Sequence, residues 1–237
     1  MTKIYIPPGH GGKSHPGAAA NGIVEKDINL TLSLALRDEL LSRFECEVKM
    51  SREKDVYVSL ADRVREANTW GADLFFELHS NGFGDSRVRG FETFIHTQPY
   101  TRTVAFQKAF HPFPAKVWTD AGSRDRGKKR ANFYVLRETD MSAIMIENGF
   151  LTNKQDAALL KDACFQARLV TATADGIASA MKLKKKPEPQ KYAPHLYRVI
   201  VDGKQLHALR ELDNLTGQVL KHVQEGVNEL LLQKVNK

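Results

Sequence analysis

The sequence predicts an α/β fold, a central mixed sheet with helices on both faces, followed by a small α+β C-terminal module. Short runs rich in β-branched and aromatic residues alternate with segments of helical apolar period, as a sheet layered by helices requires. A charged, proline-rich stretch then separates the C-terminal segment from the rest. The 237 residues suffice for one full domain, expected over 1–182, a linker over 183–195 and a module over 196–237.

The first strand is expected at Lys3–Ile6, ending at Pro7-Pro8 and opening into the loop Gly9-His10-Gly11-Gly12. From Glu25 to Arg43, Ile28, Leu32, Leu36 and Leu40 recur at helical spacing and mark a core-facing helix. A strand at Glu47–Met50 precedes a helix capped by Ser59, running through Trp70 and ended by Gly71. Leu74–His79 and Gly90–His96 read as strands. In 101–131 a helical start meets Pro112 and Pro114, and Ser123–Arg130 reads as a basic loop. Ala143–Ile146 is a buried strand leading into Glu147, and amphipathic helix in two pieces follows from Asn153 to Lys182. Beyond the linker, Leu196–Val201 and Gln205–Leu209 form a hairpin around Asp202-Gly203, with a helix at Glu211–Glu225 and a last strand at Asn228–Val235.

Composition excludes several classes. With 42% hydrophobic and 27% charged residues, and no apolar run near the roughly 18 residues of a membrane span, membrane insertion is not expected. The N-terminus reads as lacking an export signal. Cys46 and Cys164 stand far apart without metal-type spacing and read as buried small apolar residues. The net charge is +7, and residues 182–237 hold eleven Lys/Arg against six Asp/Glu, which suits a polyanionic partner. His-Glu-x-x-His, Gly-x-Ser-x-Gly and phosphate-loop signatures are absent from the sequence.

Four residues carry candidate chemistry: His10, Glu25, His79 and Glu147. Three of them lie at strand ends, and ligands of open α/β sheets collect outside the carboxyl ends of strands. Two imidazoles and one carboxylate suit a single Zn²⁺ with an open position for water. A second carboxylate, for which Glu147 is the candidate, would take a proton from that water and later return it to a leaving amine. Each histidine alone is more often structural, and Glu25 could simply favour a helix dipole. Glu147 is hardest to explain otherwise, since it directly follows the apolar Ala143–Ile146. Glu77 shares a strand face with His79 and reads either as a hydrogen-bond partner behind the metal or as a paired structural carboxylate. His15, His96, His111, His195, His207 and His222 are assigned structural or surface roles.

The ordered set His10, Glu25, His79-Ser80-Asn81 and Glu147-Asn148-Gly149-Phe150-Leu151-Thr152-Asn153 resembles the amidase 3 family, the N-acetylmuramoyl-L-alanine amidases of bacterial autolysins and phage endolysins. The resemblance covers roughly residues 3–181 and is supported by Gly90-Phe-Glu-Thr-Phe and by Arg130-Ala-Asn-Phe-Tyr-Val-Leu. It implies zinc ligands His10, Glu25 and His79, catalytic Glu147, and peptidoglycan as substrate, cut between N-acetylmuramic acid and L-alanine. Glu77 stands where the family often carries a small polar residue. The segment Leu196-Tyr-Arg-Val-Ile-Val-Asp-Gly-Lys-Gln resembles small wall-binding modules of Bacillus-type phage amidases. That resemblance implies a tethered module that binds cell-wall polymer; its small size also allows self-association.

A chain without an export signal fits an endolysin made in a host cytoplasm and acting on the wall. Nucleic acid is not expected as a partner. Two alternatives stay open from the residues: another zinc amide hydrolase of carboxypeptidase type, and a non-catalytic wall or nucleic-acid binder using the basic C-terminal part.

Overall fold

The computed structural model describes residues 1–187 and three strand segments beyond them, and it divides into two compact units, Met1–Lys186 and Pro187–Lys237. In the first unit β1 (Thr2–Ile6) leads through the short pair β2 (Ala19–Ala20) and β3 (Ile23–Val24) into α1 (Glu25–Arg43), β4 (Cys46–Met50) and α2 (Leu60–Trp70). Then come β5 (Leu74–Asn81), β6 (Phe91–Ile95), α3 (Thr101–Phe110), α4 (Pro112–Asp120) and β7 (Asp125–Arg130). The unit ends with α5 (Tyr134–Arg137), β8 (Ser142–Phe150), α6 (Lys154–Lys161) and α7 (Ala163–Met181).

Six strands form one sheet in the order β4-β1-β5-β8-β6-β7, parallel except where β6 runs antiparallel to β8. The expected mixed α/β sheet is therefore the observed one. Alternate residues of each strand feed two separate cores, as a period of two dictates. Ile4, Ile6, Phe76, Leu78, Ile144 and Ile146 pack in the larger core with Leu32, Leu36 and Leu40 of α1 and with residues of α3, α4 and α7. Tyr5, Phe75, Ala143 and Met145 point the other way, into a smaller core with Val64 and Ala67 of α2 and Val135 and Leu136 of α5.

Local signals end the helices where the sequence says they should. Ser59 accepts a hydrogen bond from the Asp62 amide at the head of α2, and Gly71 closes it in the left-handed region at φ 67°. Asn153 and Asp162 cap α6 and α7 in the same way. Pro112 does not merely interrupt a helix: at the first turn, where its missing N–H costs nothing, it starts α4.

Three expectations need correction. Ser123–Arg130 is not a loop, because Asp125–Arg130 pairs with β6 as the sheet's edge strand. Its density of Lys and Arg is how exposed edges resist pairing with other chains, so charge there signals an edge and not irregular backbone. Cys46 is buried as expected, but Cys164 is exposed in the first turn of α7. Residues 184–186 also belong to the first unit: Lys185 bridges Phe44, and the Glu45 amide donates to the Lys184 carbonyl at 2.8 Å.

In the second unit β9 (Leu196–Val201) lies between β10 (Lys204–Leu209) and β11 (Leu230–Val235), antiparallel to both. The turn at 202–203, most of the linker and the helix expected over 211–225 lie outside the described residues.

The larger core should carry the domain's stability. Leu36→Ala, at a fully buried position of α1, is expected to cost about 2–5 kcal/mol. Urea denaturation of the two proteins measures that difference.

Candidate functional site

The site assembles where β1, β5 and β8 run out at their carboxyl ends. Pro8 bridges Leu78 beyond the end of β1, and the Gly9 amide donates to the Leu78 carbonyl at 2.9 Å, so the Gly9–Gly12 loop continues alongside β5. This close approach needs glycine: a Cβ on Gly9 would sit 2.6 Å from the His79 ring. His10 itself takes a positive φ of 60°.

Two buried arginines hold that loop by its carbonyls. Arg63, from α2, donates to the carbonyl oxygens of Pro8 at 3.1 Å and His10 at 2.8 Å, and to Glu77 Oε1 at 2.9 Å. Arg52 donates to the carbonyls of Gly9 and Lys26 at 3.0 and 2.8 Å, joining the loop to the head of α1. Buried backbone carbonyls need donors, and the planar guanidinium supplies several from one side chain. Neither arginine stands out in the sequence. Arg63 sits among polar helix residues, and only its fall on the apolar face with Val64 and Ala67 could have marked it.

His10, Glu25 and His79 converge, and one donor atom from each lies within 4.8 Å of the others. Glu25 occupies the first position of α1 and is buried. Its carboxylate faces His79 Nδ1 at 2.9 Å and His10 Nε2 at 3.2 Å, and accepts from the Ala18 amide at 2.8 Å. Burial alone would raise the Glu25 carboxyl's pKa, but the hydrogen bonds from both histidines outweigh it and hold the group well below the usual carboxylate range. Burial likewise opposes a charged His79, and its hydrogen bond to Glu25 together with the nearby Glu77 carboxylate reverse the effect and push the ring's pKa up.

Behind the ring, His79 Nε2 lies 3.7 Å from Glu77 Oε1, whose carboxylate is fully buried against Arg63. Of the two roles that the sequence left open, the pairing is the one observed, Glu77 being bonded to Arg63 at 2.9 Å, and the same carboxylate also lies near His79. A histidine whose second nitrogen faces a carboxylate is the usual arrangement of a metal-ligating ring. The donor set fits Zn²⁺: two imidazoles and an ionised carboxylate whose donor atoms converge.

Sheet register places the fourth residue. Glu147 on β8 lies directly beside His79 on β5, with Glu92 of β6 on its other side. Glu147 Oε2 is buried and has no hydrogen-bond partner among the described residues. Burial, with added repulsion from Glu25, Glu92 and Glu77, pushes the Glu147 carboxyl's pKa up to about 8, partly offset by His79. A carboxyl that can hold a proton near neutrality beside three converging donors has the form of a general acid and base.

Glu92 is nearly inaccessible and is met by Arg126 Nε at 2.6 Å, by Lys129 Nζ, and by Asn81 Nδ2 at 3.2 Å. This cluster is hidden in the sequence because the density of charge over Ser123–Arg130 reads as a loop and not as a strand beside Glu92. The other described histidines are not part of the converging donor set: His111 is buried between Thr93 and Asp125, His15 is exposed and His96 is half-buried.

The model of the N-acetylmuramoyl-L-alanine amidase family matches residues 4–179. The amidase CwlM of Bacillus licheniformis is 39% identical over 235 residues, covering 99% of this chain and 86% of that protein. The endolysin of Bacillus phage SPP1 is 43% identical over 189 residues, covering 78% of this chain and 69% of that one. Among solved structures, the catalytic domain of the amidase CwlV from Bacillus (Paenibacillus) polymyxa superposes with a TM-score of 0.71 at 33% identity, over 78% of this chain and 100% of that domain. An amidase from Clostridium difficile 630 gives 0.70 at 30% identity, over 77% of this chain and 97% of its own.

Removing Arg63 should unsettle both histidine-bearing segments. Arg63→Met leaves buried Glu77 without its partner and is expected to destabilise the fold by about 3–5 kcal/mol, read by urea denaturation.

Proposed function

Because the chain belongs to the N-acetylmuramoyl-L-alanine amidase family, whose model spans residues 4–179, we propose that His10, Glu25 and His79 hold one zinc ion and that Glu147 moves the proton. The enzyme is a peptidoglycan hydrolase that cuts the amide between N-acetylmuramic acid and L-alanine. The observation that carries the proposed roles is the register of β5 and β8, which sets Glu147 beside His79 while Glu25 ties the two histidines together.

When bound, zinc would supply Lewis acidity toward the amide carbonyl and the attacking water. Glu147 then takes the proton of that water at its buried, unpartnered carboxylate. As the carbon–nitrogen bond breaks, it returns the proton to the alanine nitrogen, leaving a lactyl carboxylate and a free amino terminus. Glu77 and Arg63 keep His79 and the His10 loop in place. Single-site positioning of this kind converts a reaction between separate species into one within a complex.

The second unit is proposed to bind wall polymer. The similarity to CwlM runs over 235 residues and so includes it. Tethering such a module to the catalytic unit raises the enzyme's effective concentration on an insoluble substrate.

Purified cell walls incubated with the protein, followed by mass analysis of new ends, test the assignment. Intact glycan and peptides with free N-terminal alanine are expected, and a chelator should abolish them. Glu147→Gln should lower kcat by about 10²–10⁴ while zinc still binds; unchanged kcat would remove Glu147 from its role.

A further inference from the structure

We propose that Arg126 and Lys129 of β7 receive the first carboxylate of the stem peptide beyond its alanine, which makes them specificity-determining residues. The inference rests on the amidase reading and extends it to the leaving group. Sheet order supplies the geometry. His79, Glu147 and Glu92 lie side by side on β5, β8 and β6, and β7 follows at the edge. Adjacent strands are about 4.8 Å apart, so the sheet measures distance along the substrate. With the scissile carbonyl at the histidine cluster on β5 and the alanine nitrogen at Glu147 on β8, the amide bond points toward the β7 edge. The peptide that leaves therefore continues over β6 and β7. An extended chain advances roughly 3.5 Å per residue, which brings the residue after alanine within reach of long side chains on β7.

Those side chains carry suitable charge. Arg126 and Lys129 both turn to the face of Glu92, because the ladder of β6 and β7 shifts register between Phe91 and Thr93. Against two cations stands one buried carboxylate, so the trio holds one excess positive charge. About a third of each cationic side chain remains exposed, 31% for Arg126 and 35% for Lys129. Arg126 uses Nε on Glu92 and leaves its two terminal nitrogens without a hydrogen bond among the described residues. Its guanidinium lies 4.9 Å from the Phe150 ring centroid, and the Lys129 ammonium 5.6 Å from that of Phe94. Glu92 and the two rings hold the cations in place before substrate arrives, which lowers the ordering cost of binding. A guanidinium fork matches a carboxylate, and a carboxamide in its place forfeits the charge-assisted bonds.

The test compares two synthetic muramyl dipeptides whose second residue carries either a free α-carboxylate or the matching carboxamide. The wild-type enzyme is expected to show kcat/KM about tenfold higher for the carboxylate. In the Arg126→Gln/Lys129→Gln variant that ratio should fall toward one. Lys129→Gln alone keeps Arg126 on Glu92 and covers the case in which the double variant does not fold; it should lower the ratio about threefold. A wild-type enzyme that cleaves both substrates equally, or folded variants that keep the wild-type ratio, would overturn the inference and leave the amidase reading standing. Cleavage of neither substrate, with no amidase products from whole walls, would overturn both.

Discussion

The guanidinium of Arg63 is the interaction on which the site's geometry depends. It lies between the sheet and α2, only 2% exposed, and binds three segments that are remote in sequence: the carbonyls of Pro8 and His10, the Val58 carbonyl before α2, and the Glu77 carboxylate on β5. A buried ion pair of this sort adds little net stability relative to apolar packing, because desolvation offsets the attraction. What it adds here is position. The loop after β1 has only isolated bridges, at Pro8 and between Gly11 and His15, and the carbonyls of Pro8 and His10 take their side-chain hydrogen bonds from Arg63 and Arg52. With them, His10 is brought to the side of His79, the two ring centroids 5.0 Å apart and the planes nearly perpendicular.

Around that frame the electrostatics divide the carboxylates into two kinds. Glu25 and Glu77 are each met by a charged or hydrogen-bonding partner and sit with lowered pKa. Glu147 is just as surely placed by register, but its Oε2 has no hydrogen-bond partner among the described residues, and burial pushes its pKa the opposite way despite the nearby His79. Two carboxyl groups, at a helix head and on a strand, thereby acquire opposite electrostatics, which would suit the one to holding a cation and the other to carrying a proton in the proposed mechanism. Glu92, on the next strand, would add a further buried negative charge, and Arg126 and Lys129 neutralise it.

Much of this was legible in the sequence, for identifiable reasons. Helix α1 matches its expected span because its apolar residues keep strict period and its ends carry complementary charge, Glu25 and Asp27 at the head and Arg43 at the tail. His10, Glu25, His79 and Glu147 could be found because each sits at the end of a strand or head of a helix marked by glycine or by an apolar run. What the sequence hid has equally physical causes. Arg63 and Arg52 look like surface residues until their carbonyl partners, tens of residues away, are in view. The strand β7 was masked because its hydrogen bonding depends on β6 and its charges on an edge position, neither of which is local. Glu77 showed its strand face in the alternation with His79, whereas its pairing with Arg63 is a tertiary fact.

Three side chains, from a loop, a helix head and a strand, are proposed to form one zinc site of defined donors. Isothermal titration of zinc into metal-free protein, repeated with His10→Ala, Glu25→Ala and His79→Ala, tests it most directly. One ion per wild-type chain and a large loss of affinity in each variant are expected, while each variant remains folded by circular dichroism. Zinc that binds with unchanged affinity and stoichiometry after any of the three substitutions would contradict it.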